Sequence, residues 1–263
     1  MKDDQLINKK YHMLQRNKIL KNEDQFIYRQ IANRLNDSMD GINFSLKNCL
    51  EIGYSSSIIS NYILSRFKFI EYLTIDISKE IIKKIKSHKC ISVDHDKLEL
   101  GEKKFDLIIS NLYLQNTNDL KLLIRKIKES LNNNGFFIIS LPGINCGKEI
   151  KEAMIMADIE LYGGAYRRFP DFFSIEKISN LLKINNFKIP VIELDTIQLR
   201  YKKFSSLLND IRFMGNSNAR YDRKKKFEKK NYFNKVEEIY WKKFSNKNEL
   251  ILQFEIVYIS CWK

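Results

Sequence analysis

The chain has 263 residues, 44% of them hydrophobic, and a formal net charge of +14. This length suits one large α/β domain or two small ones, and the apolar content excludes an intrinsically disordered chain. Because no segment approaches the ~18 apolar residues of a membrane span and the N-terminus carries early acids, we expect neither a membrane helix nor a signal peptide.

A positive charge favours acidic partners such as nucleic acid or an anionic membrane. Lys, Asn and Ile are enriched together along the whole chain, however, so the charge reflects overall composition rather than one basic patch. We therefore disfavour nucleic acid as a partner and leave peripheral membrane contact open. The four cysteines, Cys49, Cys90, Cys146 and Cys261, show no CxxC spacing and are predicted to be free thiols of a cytoplasmic protein.

The N-terminal 43 residues are predicted to form a helical arm. Residues 1–22 are polar and favour a loosely packed helix or arm. A second helix is predicted from Asp24, with Ile27, Ile31 and Leu35 on one face, followed by a turn-rich break at 36–43.

Short apolar segments then alternate with helical patterns. The predicted strands are 48–52, 72–75, 90–93, 105–110 and 136–141, and the predicted helices between them are 56–67, 78–87 and 119–131, with a stop at 132–135. Strands of this kind are typical of a parallel sheet with helices on both faces. The sequence therefore predicts a doubly wound α/β fold for residues 44–263.

The second half of the chain departs from this alternation. Helices are predicted at 147–161 and 174–182 and long strands at 188–199 and 250–262. The fifty residues between the two strands, 200–249, have helical periodicity. We predict a mostly parallel seven-stranded sheet whose last two strands form an antiparallel pair, with a helical lid inserted before the last strand.

Several polar residues follow the predicted strands, where doubly wound sheets bind their ligands. They are Glu51 and Gly53 after the first strand, Asp76 after the second, Asp94 after the third, and Ser110 with Asn111 after the fourth. Asp76 comes 23 residues after Gly53, close to the spacing of a ribose-binding acid in nucleotide-binding folds. A helix N-terminal acid that complements the dipole is the alternative for Asp76.

These motifs resemble those of class I S-adenosylmethionine-dependent methyltransferases. The resemblance includes the acid-x-Gly turn, the acids after strands two and three, and Phe105–Ser110. Other segments resemble the branch that contains the malonyl-carrier-protein O-methyltransferase and the complex I assembly factor 5 family. These segments are Gln30–Leu35, Asn118–Leu120, Gly163–Gly164 with Arg168, Phe169 and Phe172, Asp195–Arg223 with its Met214–Ala219 block, and Ile259–Lys263.

The resemblance implies a Rossmann-like methyltransferase fold with S-adenosylmethionine as cofactor. Glu51 and Gly53 would face its methionine part, Asp76 its ribose, and Asp94 with His95 its adenine. The cofactor site implied in this way comprises Glu51, Gly53, Ser55, Asp76, Ile77, Asp94, His95, Ser110 and Asn111. Because methyl transfer depends chiefly on positioning, no catalytic side chain is assigned.

The glycine turn departs from the family pattern acid-x-Gly-x-Gly-x-Gly. Ser55 and Ser57 replace the second and third glycines. We expect a serine to be strained at positive φ there, with a hydroxymethyl group where the cofactor would lie. Tyr166, Arg168, Asn218 and Arg220 are predicted to line a substrate mouth, with turn-forming roles as the alternative. The basic segment Arg223–Lys230 is interpreted as a solvated helix face, with an acidic partner as the alternative.

The resemblance implies methyl transfer to a protein or carrier-bound acceptor, or a role in respiratory complex I assembly. One alternative is a non-catalytic assembly factor with a degenerate cofactor loop. The other is arginine hydroxylation of the complex I assembly type. No metal site is predicted, because the three histidines, His12, His88 and His95, lack the His-x-Asp or His-x-Glu spacing of an oxygenase triad.

Overall fold

The computed structural model describes residues 6–21, 26–40, 46–67, 70–99, 101–215, 217–225, 228 and 230–263. Its helices are α1 Lys9–Arg16, α2 Phe26–Asp40, α3 Ser57–Arg66, α4 Lys79–Lys84, α5 Leu120–Ser130, α6 Lys148–Tyr162, α7 Ile175–Ile184, α8 Phe204–Phe213 and α9 Lys230–Phe244. Its strands are β1 Asn48–Ile52, β2 Glu71–Asp76, β3 Lys89–Ser92, β4 Phe105–Asn111, β5 Leu131–Pro142, β6 Lys188–Tyr201, β7 Ser245–Asn246 and β8 Glu249–Trp262. None of the described helices is both long and apolar enough to cross a bilayer.

The strands form one sheet in the order β3-β2-β1-β4-β5-β8-β6, with the two-residue β7 paired to β8. Strands β1 to β5 run parallel to one another, whereas β8 runs antiparallel to both β5 and β6. The chain crosses from β3 to β4 at the switch point beside β1. This topology confirms the predicted doubly wound sheet with an antiparallel final pair.

Two apolar clusters cover the two faces of the sheet. One packs α2, α3, α6, α8 and α9 against β1, β4, β5 and β8. The other packs α5 and α7 against the opposite face. The central strands are buried on both sides, which explains their continuous apolar sequences.

Three local predictions are wrong. The break at 36–43 does not begin at residue 36, since α2 continues to Asp40 with Asn36 and Met39 buried; residues 41–43 lie outside the described part. The helix before Asn132–Gly135 ends at Ser130, which confirms the predicted stop, but the next strand does not begin at 136, because β5 starts at Leu131 and includes these four residues, with Asn134 left-handed (φ +64°). The predicted loose packing of residues 1–22 is wrong for α1, which buries three of its eight side chains; residues 1–5 and 22 lie outside the described part.

The division into an N-terminal arm, a 44–263 domain and a 200–249 lid stays a prediction. Between β6 and β8 the structure places α8, α9 and the hairpin strand β7. The predicted start of the second helix, Asp24, lies outside the described residues, and α2 begins at Phe26.

Candidate functional site

The polar residues predicted for the cofactor site come together at the carboxyl ends of β1, β2 and β4. Gly53 follows β1 and has a φ of +82°, and its N–H donates to the Ile75 carbonyl oxygen at 2.7 Å. It is the one residue of the turn 53–57 with a positive φ. The expected strain at Ser55 and Ser57 is therefore wrong, because the turn needs only one left-handed residue.

The ring of Tyr113 covers Gly53. A Cβ built on Gly53 would lie 2.0–2.4 Å from three atoms of the Tyr113 side chain, so the absence of a side chain at position 53 serves this contact. The Tyr113 hydroxyl accepts from the Ile77 N–H at 3.0 Å, and the side chain is fully buried. In the structure, the space directly above the glycine turn is filled by the protein itself.

Asp76, at the end of β2, forms a buried ion pair with Arg16 of α1. The Nη2 of Arg16 donates to Asp76 Oδ2 at 2.6 Å and also to the Tyr54 carbonyl oxygen at 2.6 Å. The backbone N–H groups of Tyr54 and Ser78 donate to the two carboxylate oxygens at 3.1 and 2.8 Å. Burial disfavours the charged guanidinium, but attraction to Asp76 outweighs it and raises the pKa of Arg16.

Asp94 and Asp96 share a second cation from α1. The Lys9 Nζ lies 3.2 Å from Asp94 Oδ1 and 2.7 Å from Asp96 Oδ2, and it donates to the Asn116 carbonyl oxygen at 3.0 Å. His95 between them is fully buried, and burial together with the nearby Lys9 lowers its pKa to about 4. Potential metal-ligand atoms of Asp94, His95 and Asp96 lie within 4.8 Å of one another, and the Lys9 ammonium group offsets one of the two carboxylate charges.

Glu51 is turned towards the neighbouring strand β2. Its Oε2 accepts from the Tyr72 hydroxyl and from Thr74 Oγ1, each at 3.0 Å. Burial raises the pKa of this carboxyl group to about 8, although the two hydrogen bonds oppose the shift. Within this structure Glu51 therefore ties β1 to β2.

The remaining predicted residues form an internal hydrogen-bond network. The Asn111 amide donates to Ser55 Oγ and to the Tyr28 carbonyl oxygen, both at 3.1 Å, and accepts from Ser140 Oγ at 3.0 Å. Ser110 Oγ donates to the Ile52 carbonyl oxygen at 2.6 Å. These bonds join the glycine turn to α2, β4 and β5.

A cavity of about 230 Å³ opens beside this edge, at the ends of β5 and β8. Its floor includes Leu112 and Gln115, which flank Tyr113 in the loop after β4. Its walls are mostly apolar and come from α6, α8, α9 and the segment before α7. They include Cys146, Ile150, Met154, Phe169, Phe172, Leu208, Ile211, Met214, Phe233, Phe254 and Ile256.

Two of the four predicted mouth residues line this cavity. Arg168 and Asn218 contribute to its wall, and both are already bonded. Arg168 forms ion pairs with Asp158 and Glu228, and Asn218 Nδ2 donates to the Arg167 carbonyl oxygen at 3.1 Å. These bonds favour wall-forming roles for both residues.

The other two predicted mouth residues lie elsewhere. Tyr166 is 44% exposed and packs edge-on against Tyr162. Arg220 lines a separate cleft and forms ion pairs with Asp171 and Asp222, at 2.9 and 2.8 Å. The structure thus separates the four residues into a cavity-lining pair and a pair outside the cavity.

The basic segment 223–230 is partly described. The Arg223 guanidinium lies 3.7 Å from the centroid of the Tyr11 ring, and Lys224 Nζ pairs with Glu228 Oε1 at 2.6 Å. Residues 226, 227 and 229 lie outside the described part. Lys225 is exposed. Residues 223–225 and 228 lie outside any helix, so the predicted helix face is wrong for them, because α9 begins only at Lys230.

No motif in the sequence indicated that Lys9 and Arg16 of α1 or Tyr113 would lie at this site. Two polar residues of α1 besides Arg16, His12 and Gln15, also face inward, on the same helical face. A polar face at positions i, i+3 and i+4 of a short helix ordinarily indicates the solvent side. The polar face of α1 therefore predicts exposure for residues that the structure buries.

Residues 23–190 match a protein family described as a methyltransferase domain. The chain belongs to this family. It is a family of S-adenosylmethionine-dependent enzymes with a Rossmann-like fold.

Two relatives are named mitochondrial arginine-hydroxylase NDUFAF5. The Dictyostelium discoideum protein is 28% identical over 277 residues, covering 95% of this chain and 63% of that protein. The Danio rerio protein is 24% identical over 243 residues, covering 90% and 75%. A malonyl-[acyl-carrier protein] O-methyltransferase of Nitrosospira multiformis is 30% identical over 173 residues, covering 66% and 54%. The chain therefore spans less than two thirds of the Dictyostelium and Nitrosospira relatives.

Solved structures support the fold. The YcgJ protein of Bacillus subtilis has a TM-score of 0.58 at 11% identity, covering 88% of this chain and 97% of that one. The plantazolicin methyltransferase BamL, solved with S-adenosylhomocysteine (SAH), has a TM-score of 0.51 at 13% identity, covering 94% and 88%. At these identities the likeness concerns architecture alone.

The residues of this structure do not fit the family's cofactor while α1 is in place. Asp76, the predicted ribose acceptor, has both carboxylate oxygens engaged, and Asp94 holds Lys9. Tyr113 fills the space above Gly53 and holds the Ile77 N–H. A nucleoside could occupy this edge of the sheet only after Arg16 and Tyr113 had moved.

Proposed function

We propose that the chain transfers a methyl group from S-adenosylmethionine to a protein or carrier-bound acceptor, or serves in the assembly of respiratory complex I. The relatives described above support these two roles, and a cytoplasmic location is part of the same proposal. Recovery of the protein in the soluble fraction of gently lysed cells would support that location, and its recovery with membranes would contradict it.

One observation carries the proposal. A single loop separates the carboxyl ends of β1, β2 and β4, here called the nucleotide edge, from the apolar cavity. Tyr113 of this loop lies on the glycine turn, whereas its neighbours Leu112 and Gln115 line the cavity. Methyl transfer requires donor and acceptor to be held close together and in line. Once Arg16 and Tyr113 had moved, a donor above Gly53 and an acceptor in the cavity would meet at this loop.

The cavity wall favours an acceptor with an apolar part. Most of the lining side chains are apolar, and Arg212 adds an exposed guanidinium whose Cζ lies 5.6 Å from the centroid of the Phe233 ring. Burial raises the pKa of Cys146 to about 12, so this thiol stays protonated at neutral pH. The wall is therefore suited to hold an acceptor group and supplies no thiolate from Cys146.

Transfer of labelled methyl from S-adenosylmethionine tests the proposal. The acceptors would be malonyl-carrier protein and isolated complex I subunits, followed by mass spectrometry of the product. We expect a gain of one methyl group, lost in an Ile211→Trp variant that fills the cavity and kept in Ile144→Trp, whose wild-type side chain is 57% exposed. A gain of one oxygen atom would instead indicate hydroxylation, and no modification of either acceptor class would overturn the proposal.

A non-catalytic assembly factor is the second candidate, and the filled nucleotide edge favours it. The ion pair between Arg16 and Asp76 is fully buried, and Tyr113 closes the glycine turn. Calorimetry with S-adenosylmethionine separates the candidates. No binding at millimolar cofactor, together with normal complex I assembly in cells that carry Asp76→Ala, would establish the second candidate.

A further inference from the structure

Helix α1 is packed with its polar side inward. His12, Gln15 and Arg16 are 0–3% exposed, whereas Leu14 is 50% exposed. A helix of a globular protein ordinarily buries its apolar face and gains stability from that burial. Helix α1 gains little in this way, so its position depends on polar contacts with the nucleotide edge.

Those contacts are the ones that the family resemblance implies for a nucleoside. Arg16 binds the acid after β2, and Lys9 binds the acid after β3. The guanidinium Cζ of Arg16 also lies 4.8 Å from the centroid of the Tyr113 ring, which covers the glycine turn. Helix α1 and Tyr113 together therefore take the place of a ligand.

Several buried polar atoms of α1 lack hydrogen-bond partners within the described part of the chain. Among the described residues, Arg16 Nε and Nη1, both ring nitrogens of His12 and Gln15 Oε1 are buried without a hydrogen-bond partner. Buried polar atoms without partners lower the stability of the arrangement that buries them. Exposure of these atoms to water would satisfy them, which favours release of α1 once another ligand takes over Asp76.

The helix has a tether that can remain while its inward face leaves the site. Ile7, just before α1, forms an antiparallel bridge with Arg220, and its N–H donates to Asn118 Oδ1 at 2.8 Å. The Asn8 N–H donates to the Ala219 carbonyl oxygen at 2.8 Å. This bridge holds the start of α1. At its other end Ser78 Oγ donates to Asn17 Oδ1 at 2.6 Å and Ile19 is 2% exposed, so the inward face of α1 leaves the site only when these contacts open as well.

We propose that α1 is an internal competitor of the cofactor's nucleoside, with Arg16 as the latch that must leave Asp76 before the nucleoside binds. The proposal rests on the proposed function in that it takes S-adenosylmethionine as the ligand. The further claim is that cofactor binding displaces α1 from the sheet. If α1 instead closed over the bound cofactor, binding would hold it more firmly. The two differ in the sign of the effect on α1.

Amide hydrogen exchange of the wild-type protein, with and without saturating S-adenosylmethionine, tests this sign. We expect the amides of Tyr11 to Arg16 to exchange faster with cofactor bound, while amides of β5 remain protected. Slower or unchanged exchange in α1 on binding would overturn the proposal. Because the measurement needs no substitution, it does not depend on the folding of a variant.

An affinity measurement complements it. Arg16→Gln removes the charge that competes for Asp76, and we expect it to tighten S-adenosylmethionine binding about tenfold by calorimetry, the factor that corresponds to ~1.4 kcal/mol. Arg34→Gln, which removes an exposed cation paired with Glu193, serves as the matched control and should leave the affinity unchanged. Weaker or equal binding by Arg16→Gln would contradict competition.

The outcomes separate this inference from the proposed function. If the cofactor binds and α1 opens but neither acceptor is methylated, the competition stands and the proposed function fails. If methylation occurs while α1 becomes more protected, the proposed function stands and the competition fails. If neither wild type nor Arg16→Gln binds the cofactor, both fail and the non-catalytic candidate remains.

Discussion

Arg168 provides a stringent test of the distinction between substrate-binding and structural residues in this protein. Its Nε lies 2.7 Å from Asp158 Oδ2 in α6, and its Nη2 lies 2.9 Å from Glu228 Oε1 just before α9. The Arg168 side chain is 11% exposed and that of Asp158 is fully buried. Burial opposes the charge of Arg168, yet its hydrogen bond to Asp158 and the other contacts raise the pKa of Arg168.

Replacement of Arg168 by Met keeps the length of the side chain and removes its charge. Among the described residues, Asp158 would retain only the Tyr166 N–H, at 3.2 Å, whereas Glu228 would keep Lys224. Removal of one partner of a buried ion pair costs about 3–5 kcal/mol. Because Arg168 keeps some solvent contact and Glu228 keeps a cation, we expect the lower end of this range, ~3 kcal/mol.

Urea unfolding at pH 7 measures this loss. A loss of ~3 kcal/mol with a slope of about 1–3 kcal/mol per molar urea lowers the midpoint by about 1–3 M. Arg34→Met is the matched control, since its ion pair with Glu193 joins side chains that are 49% and 46% exposed. Exposed pairs contribute about 0–1 kcal/mol.

The refuting result is specific. If Arg168→Met is within ~1 kcal/mol of Arg34→Met, the pair with Asp158 does not stabilise the fold as inferred, and Arg168 becomes free to bind an acceptor. Addition of Asp158→Asn to Arg168→Met should recover part of the loss, because it removes the unpaired charge. No recovery would show that the loss comes from packing of the arginine rather than from its charge.

Two further predictions concern the glycine turn and its neighbour. Gly53→Ala should lower stability by about 2–4 kcal/mol, because its φ is +82° and the new Cβ would lie 2.0 Å from Tyr113; an unchanged melting temperature would contradict this. Glu51 holds its proton up to about pH 8 when folded, against about 4.5 when unfolded, so its stabilising contribution is complete at low pH and lost as pH rises through 8. Between pH 5 and 9 this loss is about 4 kcal/mol, at ~1.4 kcal/mol per pKa unit, and Glu51→Gln should remove it; equal pH slopes in urea unfolding would refute the shift.

The sequence predicted the architecture because the sheet is encoded locally. Each strand is a short apolar segment, and each connecting helix has its own periodicity, as in 119–131, where α5 spans Leu120–Ser130. The positions of Gly53 and Asp76 at one edge follow from parallel strands, since their carboxyl ends must coincide. These features need no knowledge of distant contacts.

The content of the site depends on distant contacts, and the sequence pattern does not contain them. Arg16 lies 60 residues from its partner Asp76, and its own helix has the surface pattern of a solvated arm. Tyr113 sits next to Leu112, which has a φ of +46°, a backbone state rare for leucine that aims the loop over the glycine turn. Neither feature has a periodicity that predicts it.

The glycine turn therefore permits two interpretations that its sequence alone cannot separate. An acid after β2 predicts that a hydroxyl or a cation will be bound there, because a carboxylate accepts from both. In this structure the bound group is the Arg16 guanidinium, and a second acid, Asp94, likewise holds Lys9. Both cations come from one eight-residue helix that buries no large apolar side chain. The motif thus specifies where a charged group is bound. Whether α1 or a ligand occupies the site depends on the free energy of moving α1 away from the sheet. That free energy therefore decides between an enzyme and an assembly factor.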